Sequence, residues 1–328
     1  MITVAKLRRK PPQFRAFTGL TVQEFDQLLR EVQTAYQASL QKQQQHPDRQ
    51  RKPGAGRPFA LDLPERLLMG LIYLRLYVSQ SLLSFLFDLD QSNISRELND
   101  RLLPILLTVL PVPLRDAPLR HLAKQPPGSE RTGDPVEGKK PPRINTLKQL
   151  LETYPEIAEV LLDATEQSIP QPVDKRKRKL CYSGKQQDHT IKTQIVATRA
   201  HILHVFGGLP GSVSDQTVLG ASGVVRQIPQ NVHIRLDKGY EGTDKRHPDK
   251  AVEQPVKGQR NHKVTVLGRA YNYLLSTKRI YVEHHFARLQ KFGILRQEYR
   301  GQWEAHENIF CIVSGLLNYR ASGQFPLA

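Results

Sequence analysis

The chain has 328 residues, 39% of them hydrophobic, and carries 48 Lys and Arg against 31 Asp and Glu, a formal net charge of +17. That length exceeds one ordinary domain and supplies enough apolar residues for a real core. So large a positive excess repels itself in a compact chain and calls for an anionic partner, most commonly nucleic acid; charge alone does not separate an enzyme from a binding or ribosome-associated protein. The two cysteines, Cys181 and Cys311, show neither metal-ligand spacing nor the pattern of a disulfide scaffold. The basic N-terminus has no apolar segment of signal-peptide type. The most apolar runs, 67–74 and 102–110, fall far short of the roughly 20 residues that cross a bilayer. A soluble, cytoplasmic protein without a membrane partner is expected.

Along the chain, Thr21 and Glu24 fit a capping box, and Phe25, Leu28, Leu29, Val32 and Tyr36 recur at helical spacing behind it. A Gln-rich stretch, 41–50, leads into a basic turn segment ending Gly56-Arg57-Pro58, which reads as a flexible linker. Its arginine could enter a DNA minor groove, but a solvated loop is the more ordinary reading. Asp62, Pro64 and Glu65 signal the start of a second helix bearing Leu67, Leu68, Leu71, Ile72 and Leu74. Helical patterns over 81–87 and 92–98, broken at Asp88-Leu89-Asp90, outline a helix-turn-helix. In its second helix Asn93, Ser95 and Arg96 suit contact with bases or phosphates, whereas Glu97 and Asp100 would be repelled by phosphate. An all-helical packing unit that reads no DNA is an equal alternative.

Residues 111–142 contain eight prolines. Repeated proline removes backbone donors and blocks helix, so this stretch is expected to be a linker between a helical region, 1–110, and a second domain, 143–328. A short helix is predicted around 147–153, and then the pattern changes to strands. Val160-Leu161-Leu162 is an apolar run ending on Asp163; 191–197 and 202–206 read as a hairpin; 215–225 as a helix. Val232, Ile234 and Leu236 share one face of a strand ending at Asp237. A short strand near 251–256 and a helix over 279–292, with Val282, Phe286 and Leu289 on one face, complete the series. The order matches an RNase H-like α/β domain, a mixed sheet flanked by helices, here preceded by an all-α region. Many α+β domains share it.

The carboxylates bear on chemistry. A phosphodiester repels nucleophiles and has a poor leaving group, and hard divalent cations held by converging acids answer both problems. Asp163 and Asp237 each follow an apolar strand, so if those strands are neighbours their carboxylates emerge together. Glu283 sits at the border of an apolar helix face that can lean over them. Each has an ordinary reading as well: a strand-end Asp caps turns, and Glu283 lies four residues after Arg279, at ion-pair spacing.

Several ordered blocks resemble those of insertion-sequence DDE transposases, in the branch that includes Harbinger-like elements. Leu162-Asp163-Ala164-Thr165-Glu166-Gln167, Tyr182-Ser183-Gly184-Lys185 and His189-Thr190-Ile191-Lys192 are similar to the first catalytic block. Pro210-Gly211-Ser212-Val213-Ser214-Asp215 is similar to the Pro-Gly-Ser block, and Asp237-Lys238-Gly239-Tyr240-Glu241-Gly242 to the second catalytic block. Asn272 and Arg279-Ile280-Tyr281-Val282-Glu283-His284 are similar to the third, and the stretch 63–98 to the helix-turn-helix that precedes the nuclease. The resemblance covers roughly 60–105 and 158–320. It implies Asp163, Asp237 and Glu283 as catalytic metal ligands, Mg²⁺ or Mn²⁺ as cofactor with two ions, and Arg279 contacting DNA or steadying a carboxylate. It further implies hydrolysis and strand transfer at the ends of an insertion element. Partners would be the element's terminal inverted repeats and target DNA, in a homodimer or larger assembly in a prokaryotic cell, associated with the nucleoid. Two positions depart from the family: Ser214 stands where His is frequent, and Gln290 where Lys is frequent, with Lys291 next.

Further phosphate contacts are expected from the basic run Lys175-Arg176-Lys177-Arg178, from Lys185, and from Arg96, Arg279 and Lys291. Trp303, the single tryptophan, can stack on an unpaired base but more often such a residue is core. Two other readings stay open: a catalytically inactive, transposase-derived DNA-binding protein, and a non-transposing RNase H-like nuclease.

Overall fold

The computed structural model of the chain describes residues 2–44, 59–115, 144–258 and 264–321. The basic turn segment 49–58 and the proline-rich stretch from 116 to 142 lie outside the described residues.

The basic N-terminus forms two short helices that periodicity did not announce, α1 (Val4–Arg8) and α2 (Pro11–Thr18). The Thr3 hydroxyl caps the first, and Gly19, at φ 80°, ends the second. In α3 (Val22–Gln44) the capping box forms as expected: Thr21 N–H donates to Glu24 Oε2 (2.6 Å), and Glu24 N–H to Thr21 Oγ1 (3.2 Å). Asp62 caps α4 (Leu63–Leu76), which is buried over most of its circumference. Then come α5 (Gln80–Phe87), a turn at Asp88 in the left-handed region (φ 54°), and α6 (Gln91–Arg96). This is the helix-turn-helix outline. Its second helix runs on past Leu98 through a π-helical segment, Glu97–Leu102, into α7 (Leu103–Val109). Pro104 lies at the start of α7, where its ring would clash with the carbonyl one turn back; the widened turn before it absorbs that clash.

Glu97 does not face outward toward phosphate. It is buried, and Arg66 grips it with Nε and Nη2, each 2.6 Å from Oε1, while Arg101 reaches Oε2 at 3.1 Å. Arg66 also stacks between the Tyr36 and Phe59 rings, 4.7 and 4.3 Å from their centroids. Asp100 alone of the two acids is exposed.

The remaining elements are β1 (Leu114–Arg115), α8 (Leu147–Thr153), β2 (Glu159–Ser168), α9 (Lys175–Cys181), β3 (Tyr182–Ser183), β4 (Asp188–Ala197) and β5 (Ile202–Pro210). After these follow α10 (Asp215–Ser222), α11 (Val224–Gln227), β6 (His233–Arg235), α12 (Thr243–Arg246), β7 (Val252–Glu253), α13 (Val266–Leu289), α14 (Gly293–Arg296) and α15 (His306–Ala321). The sheet runs β1-β5-β4-β2-β6-β7, with β3 pairing against β4 off this path. β2–β4 and β4–β5 are antiparallel; β2–β6, β6–β7 and β1–β5 are parallel. Leaving out β1 and β3, the remaining strands, the short β7 included, stand third, second, first, fourth, fifth. That is the RNase H-like order, a mixed sheet flanked by helices and preceded by a helical region.

Beyond α1 and α2, four elements differ from the sequence pattern. β2 does not end at Asp163 but continues to Ser168, because β4 pairs with it residue by residue from Leu161 to Ser168. The expected helix over 215–225 is broken at Gly223, which adopts φ 61° and divides α10 from α11. α13 begins at Val266 rather than near 279; its first half buries almost nothing, its apolar residues facing outward instead. α15 was unanticipated, being apolar on nearly every side.

The sheet carries a core on each face. One cluster joins Leu161, Ile191, Ile195 and Val205 to α13, α15 and the N-terminal helices; the other joins Val160, Leu162, Val196 and Leu203 to α8, α10, α11 and Tyr240. The helical region 1–110 therefore shares one core with the sheet. Pro111 and β1 are held there too: Asn318 of α15 donates to the Pro111 and Ile202 carbonyls (3.1 and 2.9 Å) and accepts the Ile202 N–H (2.9 Å).

Candidate active site

Because β2 and β6 are parallel neighbours, Asp163 in β2 and Asp237 just after β6 come out on the same side of the sheet centre. Arg279, on the inner side of α13, spans the gap: its Nη1 lies 2.8 Å from Asp237 Oδ1, and its charge also reaches Asp163. Asp163 Oδ1 accepts the Ala164 N–H at 2.8 Å. Burial pushes the Asp163 carboxyl up to about 6; the Ala164 N–H and Arg279 oppose this, and Asp237 and Asp215 add to it.

Asp215 was named in the sequence only as the end of the Pro-Gly-Ser block, yet it belongs to this neighbourhood. Ser214 caps α10, which places Asp215 in its first turn, and Lys192 Nζ holds Asp215 Oδ1 at 2.9 Å. Lys192 is itself buried. It donates to the Val213 carbonyl (2.7 Å) and pairs with Glu166 (3.3 Å), its cross-strand neighbour in the β2–β4 register. Burial raises the Glu166 carboxyl, but hydrogen bonds from Ser183 and Thr190 and the Lys192 charge prevail, leaving it below the usual range. Glu166 is thus tied into the sheet's other face and is a structural acid. Residue alternation puts it there: on β2, Glu166 shares the face of Val160 and Leu162, while Asp163 shares that of Leu161.

The Pro-Gly-Ser turn explains its glycine. A Cβ on Gly211 would lie 1.9 Å from Thr190 Oγ1 and 2.9 Å from the Cys181 carbonyl oxygen. Since the Thr190 hydroxyl donates to Glu166 (2.7 Å), Gly211→Ala is expected to break that bond and to lower unfolding stability by about 1–3 kcal/mol. Denaturant unfolding checks this, and parent-like stability would show that the turn yields freely.

Glu283 does not join the two aspartates directly. It is exposed on α13, one turn beyond Arg279 and on the same flank. Among the described residues, no three His, Cys, Asp or Glu side chains form a group that could hold a metal ion. Two of the three expected ligands do stand at the sheet centre, and they are of the kind a hard divalent cation takes. Asp163 and Asp237 offer oxygen ligands only, and the desolvated Asp163 carboxylate lacks a cation of its own. His284 is exposed, and His285 is buried against the Thr198 carbonyl (Nε2 to O, 2.9 Å).

The other expected DNA contacts are scattered. The basic run forms the helix α9, capped by Asp174, with Lys175, Arg176, Lys177 and Arg178 all exposed. The Ser212 N–H donates to the Leu180 carbonyl (3.2 Å), which docks α9 on the Pro-Gly-Ser turn. Lys185 is exposed in the β3–β4 turn, and Lys291 just after α13. Arg96 is exposed on α6 and bonds its own helix through the Ser92 carbonyl (3.2 Å). Trp303 packs against the core and donates to the Gly208 carbonyl (3.0 Å), which makes it structural. Among the described residues, no helix is long and apolar enough to cross a membrane.

Residues 162–318 match the family described as DDE superfamily endonuclease, and residues 59–106 match the helix-turn-helix of DDE superfamily endonuclease. The chain is 32% identical over 173 residues to a probable transposase for insertion sequence element IS702 from Microchaete diplosiphon. That alignment takes in 52% of this chain and 60% of that protein, so the chain spans less than two thirds of this relative's length. Among solved structures, the Mos1 transposase paired-end complex with left transposon end aligns over 88% of this chain and 84% of its own, at 12% identity and a TM-score of 0.23. A pre-cleavage Mos1 transpososome aligns over 89% and 88%, at 10% identity and a TM-score of 0.18. By its sequence, the chain carries a DDE superfamily endonuclease domain preceded by the helix-turn-helix of that same superfamily.

Proposed function

We propose that the protein is a DNA transposase, cutting DNA at the ends of an insertion element and joining the freed end to a target. The observation that carries this reading is the meeting of Asp163 and Asp237 across neighbouring strands, with Arg279 bridging toward both, inside a DDE superfamily endonuclease domain. In this reading Asp163 and Asp237 hold Mg²⁺ or Mn²⁺, two ions in all, and Glu283 is the third ligand. Bound there, the cations would neutralise the phosphodiester and supply an activated water.

The chain's own residues then have separate tasks. Asp163 and Asp237 would hold, from the sheet centre, the cations against which the reacting phosphate is oriented. Arg279, already cationic beside Asp237, takes up phosphate charge as it develops. Water attacks phosphorus, the P–O3′ bond breaks, and a 3′-hydroxyl is released. That hydroxyl attacks a target phosphodiester in turn, forming one P–O bond as another breaks. Lys175, Arg176, Lys177, Arg178, Lys185 and Lys291 track DNA backbone, while Arg96 and its helix-turn-helix engage the terminal inverted repeats. Two ends handled together call for a dimer at least, working in the cytoplasm at the nucleoid. Residues 1–110, the stretch 111–142 and residues 143–328 serve as recognition region, connector and nuclease.

The test is cleavage of a DNA bearing the element's ends, with Mg²⁺ or Mn²⁺ and in their absence. The expected result is nicking at the ends only when the divalent ion is present. DNA binding without nicking in either metal would favour an inactive, transposase-derived binding protein instead.

A further inference from the structure

The first half of α13 carries an apolar face that the other described elements leave bare. Val266, Leu267, Tyr273 and Leu274 are 73, 84, 70 and 62% exposed, in a chain that otherwise displays 48 lysines and arginines. Single exposed apolar side chains are ordinary, whereas a contiguous group of them marks a surface that meets a partner. Here the group is also periodic. Val266, Ala270, Tyr273 and Thr277 follow one another by four, three and four residues, which lines them along one seam of the helix, and Leu267 and Leu274 flank that seam seven residues apart. No charged side chain stands on it.

The helix is held so that this face is already formed. Thr265 caps it, its Oγ1 accepting the Gly268 N–H at 3.1 Å. Asn272 clamps it from another side: its Nδ2 donates to the Val256 carbonyl (2.9 Å) and its Oδ1 accepts the Val256 N–H (2.8 Å). Leu275 is buried beneath. Asn272, Arg279 and Glu283 share a flank turned about 100° or more from the seam. A partner on the seam therefore leaves Arg279 in place beside Asp237.

The order of the side chains indicates that partner. Large and small residues alternate along the seam as Val, Ala, Tyr, Thr. In a two-fold interface each residue meets a second one whose copy meets the first, so the row must complement itself. With a two-fold axis between Ala270 and Tyr273 and the helices antiparallel, it does. Tyr273 meets the partner's Ala270, Val266 meets the partner's Thr277, and Leu267 lies along the partner's Leu274. Arg269, the charged residue bordering the seam, comes opposite Ser276, so no two cations are forced together. Val266, Leu267, Tyr273 and Leu274 expose on the order of 500 Å² per chain, so two copies would cover about 1,000 Å², the size at which a specific interface begins. A phosphate-binding surface would instead need cations on the seam itself, as α9 has on its own surface.

We propose that two copies of this chain pair through the first half of α13, the two helices antiparallel across a two-fold axis. The proposal rests on the proposed function for the need to hold two DNA ends together, and it names the surface that does so. The pairing itself requires neither DNA nor metal.

Leu267→Glu and Leu274→Lys test it, since both side chains are exposed and neither belongs to the catalytic or DNA-binding residues. Analytical ultracentrifugation of the full chain over a concentration series, without DNA or metal, reads the association, and circular dichroism melting reads the fold. The parent is expected to dimerise. Each variant alone should melt like the parent and self-associate about tenfold or more weakly, the loss of buried leucine area at the interface. Mixing the two variants should restore dimers, because the introduced carboxylate of one chain then meets the introduced ammonium of the other. A parent that stays monomeric throughout the series overturns the proposal and leaves the DNA-cutting reading standing. Single variants that associate as the parent does overturn it, as does a mixture that recovers nothing. Weaker DNA binding by the variants with parent-like association assigns the face to DNA and overturns it too. A parent that dimerises through this face but does not nick DNA in either metal would sink the proposed function and leave the pairing surface in place.

Discussion

Asp163→Asn is expected to reduce DNA cleavage by about a thousandfold or more while leaving DNA binding close to the parent's. The change removes one proposed metal ligand from the site, and a cation's stabilisation of the transition state is worth several kcal/mol. It touches none of the exposed lysines and arginines of α9 or the helix-turn-helix. The same substitution has a second consequence that needs no DNA. Burial raises the folded Asp163 pKa to about 6 from the ordinary 3.8, so between those values the folded chain binds more protons than the unfolded one. Stability therefore falls as pH rises through that window, and above it the ionised carboxylate is a standing cost. Asparagine keeps the shape and the bond from Ala164 without the charge. In metal-free buffer at pH 7 the variant is expected to be about 2 kcal/mol more stable than the parent, a figure reduced for the site's partial exposure. At pH 4 the two should melt together, and adding Mn²⁺ should stabilise the parent alone. Equal melting of parent and variant at pH 7 would show that Asp163 is not strained by burial. Equal cleavage would remove it from the chemistry.

Glu97→Ala is expected to destabilise the protein by about 3–5 kcal/mol, the usual cost of leaving a buried charge without its partner. Arg66 and Glu97 side chains are 4% and 6% exposed, so neither can turn to water. Alanine would strand the guanidinium between the Tyr36 and Phe59 rings. A loss of that size is a large part of an ordinary folding free energy, and it falls on the segment where the second helix of the helix-turn-helix widens into its π turn. Denaturant unfolding followed by circular dichroism measures it. The double variant Arg66→Met, Glu97→Met should recover much of the loss, since replacing both charges by apolar groups removes the unpaired one. A Glu97→Ala loss below about 1 kcal/mol would mean that solvent or Arg101 movement relieves Arg66.

Local chemistry made much of the fold legible. The Thr21–Glu24 capping box, the Asp62 cap, the break at Asp88-Leu89-Asp90 and the 191–206 hairpin each form as their side chains dictate, because caps, turns and two-residue alternation act over a few positions. Asp163, Asp237 and Arg279 could likewise be singled out, since their blocks stand in family-like order. Long-range packing settled the rest. β2 extends through the polar segment Ala164–Ser168 only because β4 supplies a full set of partners, which no local preference encodes. α15 reads as a featureless apolar run until the sheet and the N-terminal helices surround it. Glu97 looked like an obstacle to phosphate until Arg66, thirty-one residues earlier, was found holding it. In the same way Lys192 and Asp215 acquire their bearing on the aspartates only when β2, β4, β6 and the first turn of α10 come together. A sequence records which groups exist and how each biases its neighbours; which of them share a low-dielectric interior depends on contacts between residues far apart in the chain, and there burial and pairing set their charge and chemistry.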